Sequence, residues 1–194
     1  MIRNLNIATL ICSALIFLTG CNPMNTAYAK PDNTVADWPL KFVRHSFGAA
    51  CYSTYGCKVR YNNFLFIDDP DDKLEVSSAS LGAKYPSNLG GGYLGVKNFP
   101  PPIEISWRSK DGQAHEAKVD LEEIFHDRLI RHNVKREDIP EGISIGDPEI
   151  VLEVNDRTVN VYMRAFIPTK TPQIPGNPRS SFRDDLVIAW TRSY

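Results

Sequence analysis

From Trp38 to the C-terminus, apolar residues come in short bursts of two-residue period separated by Gly, Pro, Asn and Asp, a pattern that predicts strands. Residues 39 to 47 alternate, with Leu40, Phe42 and Arg44 on one face and Val43, His45 and Phe47 on the other. Residues 58 to 67 read as a second strand, running from Val59 and Tyr61 into Phe64-Leu65-Phe66-Ile67. Ile103 to Trp107 alternates cleanly, and Asp111-Gly112 behind it signals a hairpin into Ala114 to Val119. Later come Ile150 to Val154, a turn at Asn155-Asp156, and a strand over 158–167 with Val159, Val161, Met163, Ala165 and Ile167 on one face. Leu186 to Thr191 is apolar on both faces, which predicts a strand in the middle of a sheet.

One segment carries helical spacing instead. Asp120 with Glu123 three residues on forms a capping-box pattern, and Leu121, Ile124, Phe125 and Leu129 fall on one stripe. Asp127 and Arg131 stand as i,i+4 partners, and Asn133 and Pro140 bound the end, so the expected helix covers about 120–132. Seven or eight strands with one amphipathic helix and no βαβ alternation predict a mainly β fold, β-sandwich-like or α+β, as a single globular domain over 38–194. No internal repeat is visible.

The N-terminus follows other rules. One charge, Arg3, precedes an uncharged run from Ile7 to Leu18, too short for the roughly 20 apolar residues that span a bilayer and suited to a signal peptide. The run ends in Leu18-Thr19-Gly20-Cys21, which closely resembles a bacterial lipobox. That resemblance implies a signal peptide over 1–20 and a diacylglycerol thioether on Cys21, followed by acylation of the new amino terminus. Several acyl chains at about 0.8 kcal/mol per buried methylene make a stable anchor. Asn22 stands where an aspartate would favour the inner membrane, so the expected destination is the outer membrane, on its periplasmic side. Positions 22–37 are small and polar without period, a tether expected to span about 22 Å at 5–6 Å times the square root of its length. Twenty-two basic residues against 23 acidic give a net charge of −1, which removes any global electrostatic case for nucleic acid.

Cys51 and Cys57 enclose a short loop, and in an oxidising compartment they are expected to pair as a disulfide. Zinc would need two more soft ligands, and a redox-active pair usually has two residues between its cysteines rather than five. Gly142-Ile143-Ser144-Ile145-Gly146 matches the Gly-x-Ser-x-Gly signature, yet turns and a strand surround it and all four histidines lie upstream, so Ser144 is not expected to be a nucleophile. His115-Glu116 lacks the second histidine of a zinc helix, and Glu122 with His126 reads as a solvated pair. No catalytic set, cofactor or metal is expected. Asp68, Asp69, Asp71 and Asp72 form an acidic loop, read first as solvated, next as a contact surface, and last as a metal site. Gly90, Gly91 and Gly92 lack the Lys-Ser/Thr of a phosphate loop and read as a flexible hinge.

The lipobox, Arg44-His45-Ser46-Phe47, the stretch Ala50 to Val59 with its cysteine pair, and Glu122-Glu123-Ile124-Phe125 together resemble a family of small bacterial lipoproteins. Members are encoded beside type VI secretion phospholipase effectors and act as their immunity proteins. The resemblance covers about Phe42 to the C-terminus and implies a non-enzymatic, membrane-anchored inhibitor whose partner is a secreted lipase. It transfers no contact residues. The sequence itself offers three exposed segments for contact: Asp68 to Asp72 first, then Gly90 to Gly92 and the Pro-rich run from Thr169 to Arg183. The alternative is a structural or assembly lipoprotein of the envelope or of a secretion apparatus.

Overall fold

The computed structural model describes residues 35–194. The signal peptide, Cys21 and all of the tether but its last three residues lie outside the described residues. Two sheets share one apolar core. The first holds five strands in the order β11 (Leu186–Ser193), β8 (Thr158–Arg164), β7 (Glu149–Asn155), β1 (Arg44–Tyr52) and β4 (Tyr93–Lys97). The second holds four, in the order β3 (Phe64–Asp68), β2 (Thr54–Tyr61), β5 (Ile103–Ser109) and β6 (Ala114–Val119). A short ribbon of β9 (Ile167–Pro168) and β10 (Phe182–Arg183) stands apart. Neighbours pair antiparallel except β1 with β7, which run parallel from Ser46 opposite Glu149 to Tyr52 opposite Asn155. The fold is thus mainly β, as the alternation implies.

The core follows from strand parity. Phe47, Ile150, Leu152, Val154, Val159, Val161 and Met163 from the first sheet meet Cys57, Val59, Tyr61, Ile103, Ile105, Trp107 and Val119 from the second. Residues of opposite parity on β7 are buried too, because residues 77–92 cross the outer face of the five-stranded sheet. There Leu89, Leu81 and Tyr85 pack on Tyr52, Val151 and Tyr162. Beneath this covering Glu153 is fully buried and accepts hydrogen bonds from Asn160 Nδ2 at 2.9 Å, Tyr162 Oη at 3.0 Å and Asn155 Nδ2 at 3.2 Å.

Several expectations are corrected. The strand expected over 39–47 begins at Arg44 and continues to Tyr52. The segment over 58–67 is a hairpin, broken at Asn62-Asn63, both with positive φ, 49° and 60°. The helix is a single turn, α1 (Leu121–Ile124), capped by Asp120, whose carboxylate accepts from Glu122 N–H at 2.8 Å. It ends there because the chain turns at Arg128, with φ 61°, and Leu129 then pairs with Lys41 in an antiparallel bridge. Phe42 N–H donates to the Arg128 carbonyl, and Ile130 N–H donates to the Leu40 carbonyl, both at 2.9 Å. Asp127 and Arg131 still pair, at 2.8 Å, across the turn that replaces the helix. The final strand lies at an edge rather than the centre, with Ile188 54% exposed.

Candidate partner-binding site

The site is built around the corner where the chain leaves one sheet for the other. Cys51 lies near the end of β1 and Cys57 inside β2, with only Ser53, at φ 53°, between the two strands. The cysteines are joined in a disulfide with Cα atoms 6.5 Å apart, so it spans a strand-to-strand corner rather than closing a free loop. One oxygen of Asp69 lies within 4.8 Å of both sulfurs, but sulfurs engaged in a disulfide offer no thiolate to a metal.

The acidic loop runs back along β2 as a strap. Asp69 N–H donates to the Cys57 carbonyl at 2.9 Å, and Gly56 N–H to the Pro70 carbonyl at 3.0 Å. Glu75 N–H donates to the Thr54 carbonyl at 2.8 Å, and Ser53 N–H to the Val76 carbonyl at 3.0 Å. Gly56 is required here, since its φ is 56° and a Cβ would stand 2.0 Å from an Asp71 carboxylate oxygen. Arg108 adds a hydrogen bond to the Asp71 carbonyl. The backbone of the strap is therefore held in place along β2. Asp68, Asp71 and Asp72 are exposed, and Asp68 pairs with Lys58 at 3.2 Å. Asp69 is half-buried, and burial together with the nearby Glu75 charge pushes its carboxyl above the usual range.

The other segments are also tied down. Gly91 N–H donates to Glu149 Oε2 at 3.2 Å, and the Arg164 guanidinium donates to the carbonyls of Leu89 at 2.6 Å and Ser87 at 3.1 Å. A Cβ on Gly48 of β1 would meet the Gly90 carbonyl oxygen at 2.0 Å. A Cβ on Gly91 would stand 3.3 Å from the backbone of Ser46 and Phe47, so Gly48 and Gly91 serve close backbone approach, and a crossing over β1 leaves no local mark in the sequence. The run from Thr169 to Arg183 is closed by β9 and β10 and braced by backbone bonds from Thr169 to Ser181 and from Gln173 to Ser180, both 2.9 Å.

Beyond β3, at the opposite end from the acidic strap, stands a group of rings that the sequence reading missed. Phe66 packs on the buried Phe47 with centroids 4.7 Å apart, Phe64 lies 4.9 Å from Phe66, and Tyr93 of β4 stacks on Phe64 at 5.5 Å. The outermost rings are exposed, Phe64 by 50% and Tyr93 by 38%. The only local hint was that β3 carries four large apolar residues in a row, more than one buried face needs.

Ser144 is exposed in the loop before β7, with no strand-to-helix elbow. Ser109 lies between Asp111 Oδ1 at 2.6 Å and His115 Nε2 at 3.0 Å. Asp111 is held down to about 2, first by the Ser109 hydroxyl and then by the Gln113 N–H and Arg157, so its carboxylate accepts the single serine proton. Nε2 must then donate to Ser109 Oγ and cannot take that proton, the reverse of a nucleophile–base pair. Ser109 is moreover fully buried. A shallow concavity of about 510 Å³ on the outer face of the four-stranded sheet is ringed by charges that neutralise one another, Lys58 with Asp68 and Lys118 with Glu104, each at 3.2 Å.

No family model, curated protein or solved structure matches the chain. Among the described residues no helix is long and apolar enough to cross a membrane. The fold and site define a β-sandwich that presents a braced acidic strap.

Proposed function

We propose that this protein is a lipid-anchored periplasmic immunity protein that binds and inhibits a secreted phospholipase effector. The lipobox around Cys21 and the family resemblance motivate the anchor and the partner class. The observation that carries the binding role is the strap. Four backbone hydrogen bonds along β2, beside a disulfide, fix the course of the strap that carries the exposed Asp68, Asp71 and Asp72. A surface ordered in advance loses little conformational entropy on association, and clustered carboxylates speed encounter with a basic surface.

The test is association with the lipase encoded beside this protein. Changing Asp68, Asp71 and Asp72 together to Asn is expected to slow association about 10-fold at low salt, with the deficit shrinking at high salt and the melting temperature nearly unchanged. Failure of the unaltered protein to bind that lipase, or to protect cells producing it in the periplasm, overturns the reading. Equal association rates for the two forms at low salt remove the strap from the interface.

A further inference from the structure

We infer that the outer edge of β11, with the two hollows beside it, is the docking site of the chain's own upstream segment, residues 24–30, lying antiparallel to β11. This goes beyond the binding role proposed above and does not depend on it.

The edge itself asks for a cover. β11 closes one side of the five-stranded sheet, and among the described residues its ladder runs to β8 alone, with no described strand on its other side. Past its end, Tyr194 N–H donates to the Arg157 carbonyl. β11 has 8 residues, about 26 Å at 3.3 Å per residue, and carries no charge from Leu186 to Thr191. An edge of that length without charges is one that proteins ordinarily protect or cover.

Two hollows lie on one face of this strand. The register shift between Ile188 and Trp190 turns Val187 and Trp190 to the same side, opposite the core residues Met163 and Val161. At Val187 a hollow of about 330 Å³ is lined by Trp38, Pro39, Leu129 and Ile130. At Trp190 a second, of about 350 Å³, reaches Val119 and Ile124. Around the second, Lys118 and Arg192 offset Asp120 and Glu123, so it has no net sign and suits an uncharged occupant.

The place where the chain enters the domain chooses that occupant. The described residues begin at Val35, and Trp38 already lines the first hollow, its ring 5.4 Å from that of His132. The residues upstream therefore start at this edge in every copy. Over positions 22–34 the charges are Lys30 and Asp32, and Met24 and Tyr28 are the large apolar side chains apart from two prolines. Four residues apart on an extended chain, Met24 and Tyr28 share one side at a spacing of about 13 Å. The hollows, centred on Val187 and on Trp190 to Arg192, are separated by roughly 10–17 Å along β11 at the same rise. Tyr28 suits the first and Met24 the second. Entry at the Val187 end sets the direction: from Tyr28 back to Met24 the chain runs toward Arg192, antiparallel to β11. A connection as short as residues 29–37 gives a local concentration on the order of millimolar, which a second copy would have to exceed to take the edge. Once residues 24–30 are docked, Cys21 to Pro23 alone separate the lipid from the domain, at most about 11 Å at 3.6 Å per residue, in place of the span expected of a free tether.

Hydrogen exchange, read by mass spectrometry on the mature lipidated chain in detergent, tests this. The unaltered protein is compared with Ala27→Pro, which removes a backbone donor, and with the double variant Met24→Asp and Tyr28→Asp. All three substitutions lie upstream of the domain, so the melting temperature of the core is expected to hold. In the unaltered protein the amides of 24–30 are expected to exchange at least 10-fold more slowly than the same sequence as a free peptide. Both variants are expected to speed exchange of 24–30 and of the outward amides of β11 at least 10-fold, with β7 unchanged. Exchange of 24–30 in the unaltered protein within twofold of the free peptide overturns the inference, as does exchange in both variants identical to the unaltered protein. Protection of β11 that grows with protein concentration, together with cross-linking of two copies through β11, gives the edge to a second copy and overturns it as well. Binding of the lipase is measured separately, so each of these failures leaves the immunity role standing.

Discussion

His45 shows how one side chain acquires a pH dependence from its surroundings. It is fully buried, with Nδ1 2.7 Å from Asn98 Oδ1 and Nε2 3.1 Å from the Tyr61 hydroxyl. A neutral ring with its proton on Nδ1 donates to Asn98 and accepts from Tyr61, which satisfies all three groups. Burial, only partly offset by Asn98 and the Asp147 charge, pushes the imidazole down to about 4. Above pH 6.5 neither folded nor unfolded chain carries this proton. Between 6.5 and about 4 the unfolded chain takes it while the folded chain refuses it, so stability falls as pH falls. By pH 4.5 the expected loss is about 2–3 kcal/mol. Urea unfolding of the unaltered protein and of His45→Phe at pH 7 and pH 4.5 isolates the effect, because carboxylates titrate alike in both. Parallel losses in the two would show that His45 takes no part. Alternation placed His45 on the face shared with Phe47; the partners that fix its tautomer lie in distant strands and left no local mark.

Among the elements, the corner between β1 and β2 is where local chemistry matters most. The disulfide constrains a short stretch of the unfolded chain and is expected to contribute about 2 kcal/mol, at the low end of the usual range because the closed loop is small. Replacing Cys51 and Cys57 together by Ala should lower the denaturant midpoint accordingly, and an unchanged midpoint would assign the bond no stabilising role. Sequence spacing was enough to pair these cysteines. The hairpins at Asp111-Gly112 and after Asn155 were legible too, since turn chemistry and alternation agreed. The hairpin at Asn62-Asn63 was hidden because Tyr61 and Phe64 on either side read as one apolar run, although asparagine tolerates positive φ. The expected helix failed for a different reason: its apolar stripe buries Leu121 and Phe125 equally well from one turn followed by extended chain, and pairing with residues 40–42 decided between them. The packing of the Gly90 carbonyl on Gly48 was not legible, because it is a contact between segments some forty residues apart.

For the molecule as a whole, the binding role proposed for the acidic strap requires a domain held at the membrane. Cys21→Ser is expected to leave the protein uncleaved or released, without acyl chains. Its partition after membrane fractionation, with the mass of the intact chain, checks this; a Cys21→Ser protein still acylated and sedimenting with membranes would refute the lipobox reading. Fold class was legible at this scale, because alternating segments with little helical spacing leave few architectures. The candidate surface was half legible: four aspartates in five positions announce the strap, whereas the rings become a surface only when β3 and β4, from different sheets, are brought side by side.

The parallel pairing of β1 with β7 sets a timetable for folding. The partner of Ser46 is Glu149, about a hundred residues downstream, and no hairpin can bring them together. Whatever machinery releases this chain from its N-terminus, the inner strand of the larger sheet must wait until most of the protein has emerged. The cysteines of the corner, by contrast, meet almost at once. The chain thus acquires its covalent clasp early and its sheet late. A long wait with the β7-facing edge of β1 unpaired makes assembly slow and exposes that edge to interception by chaperones or by other unfinished chains.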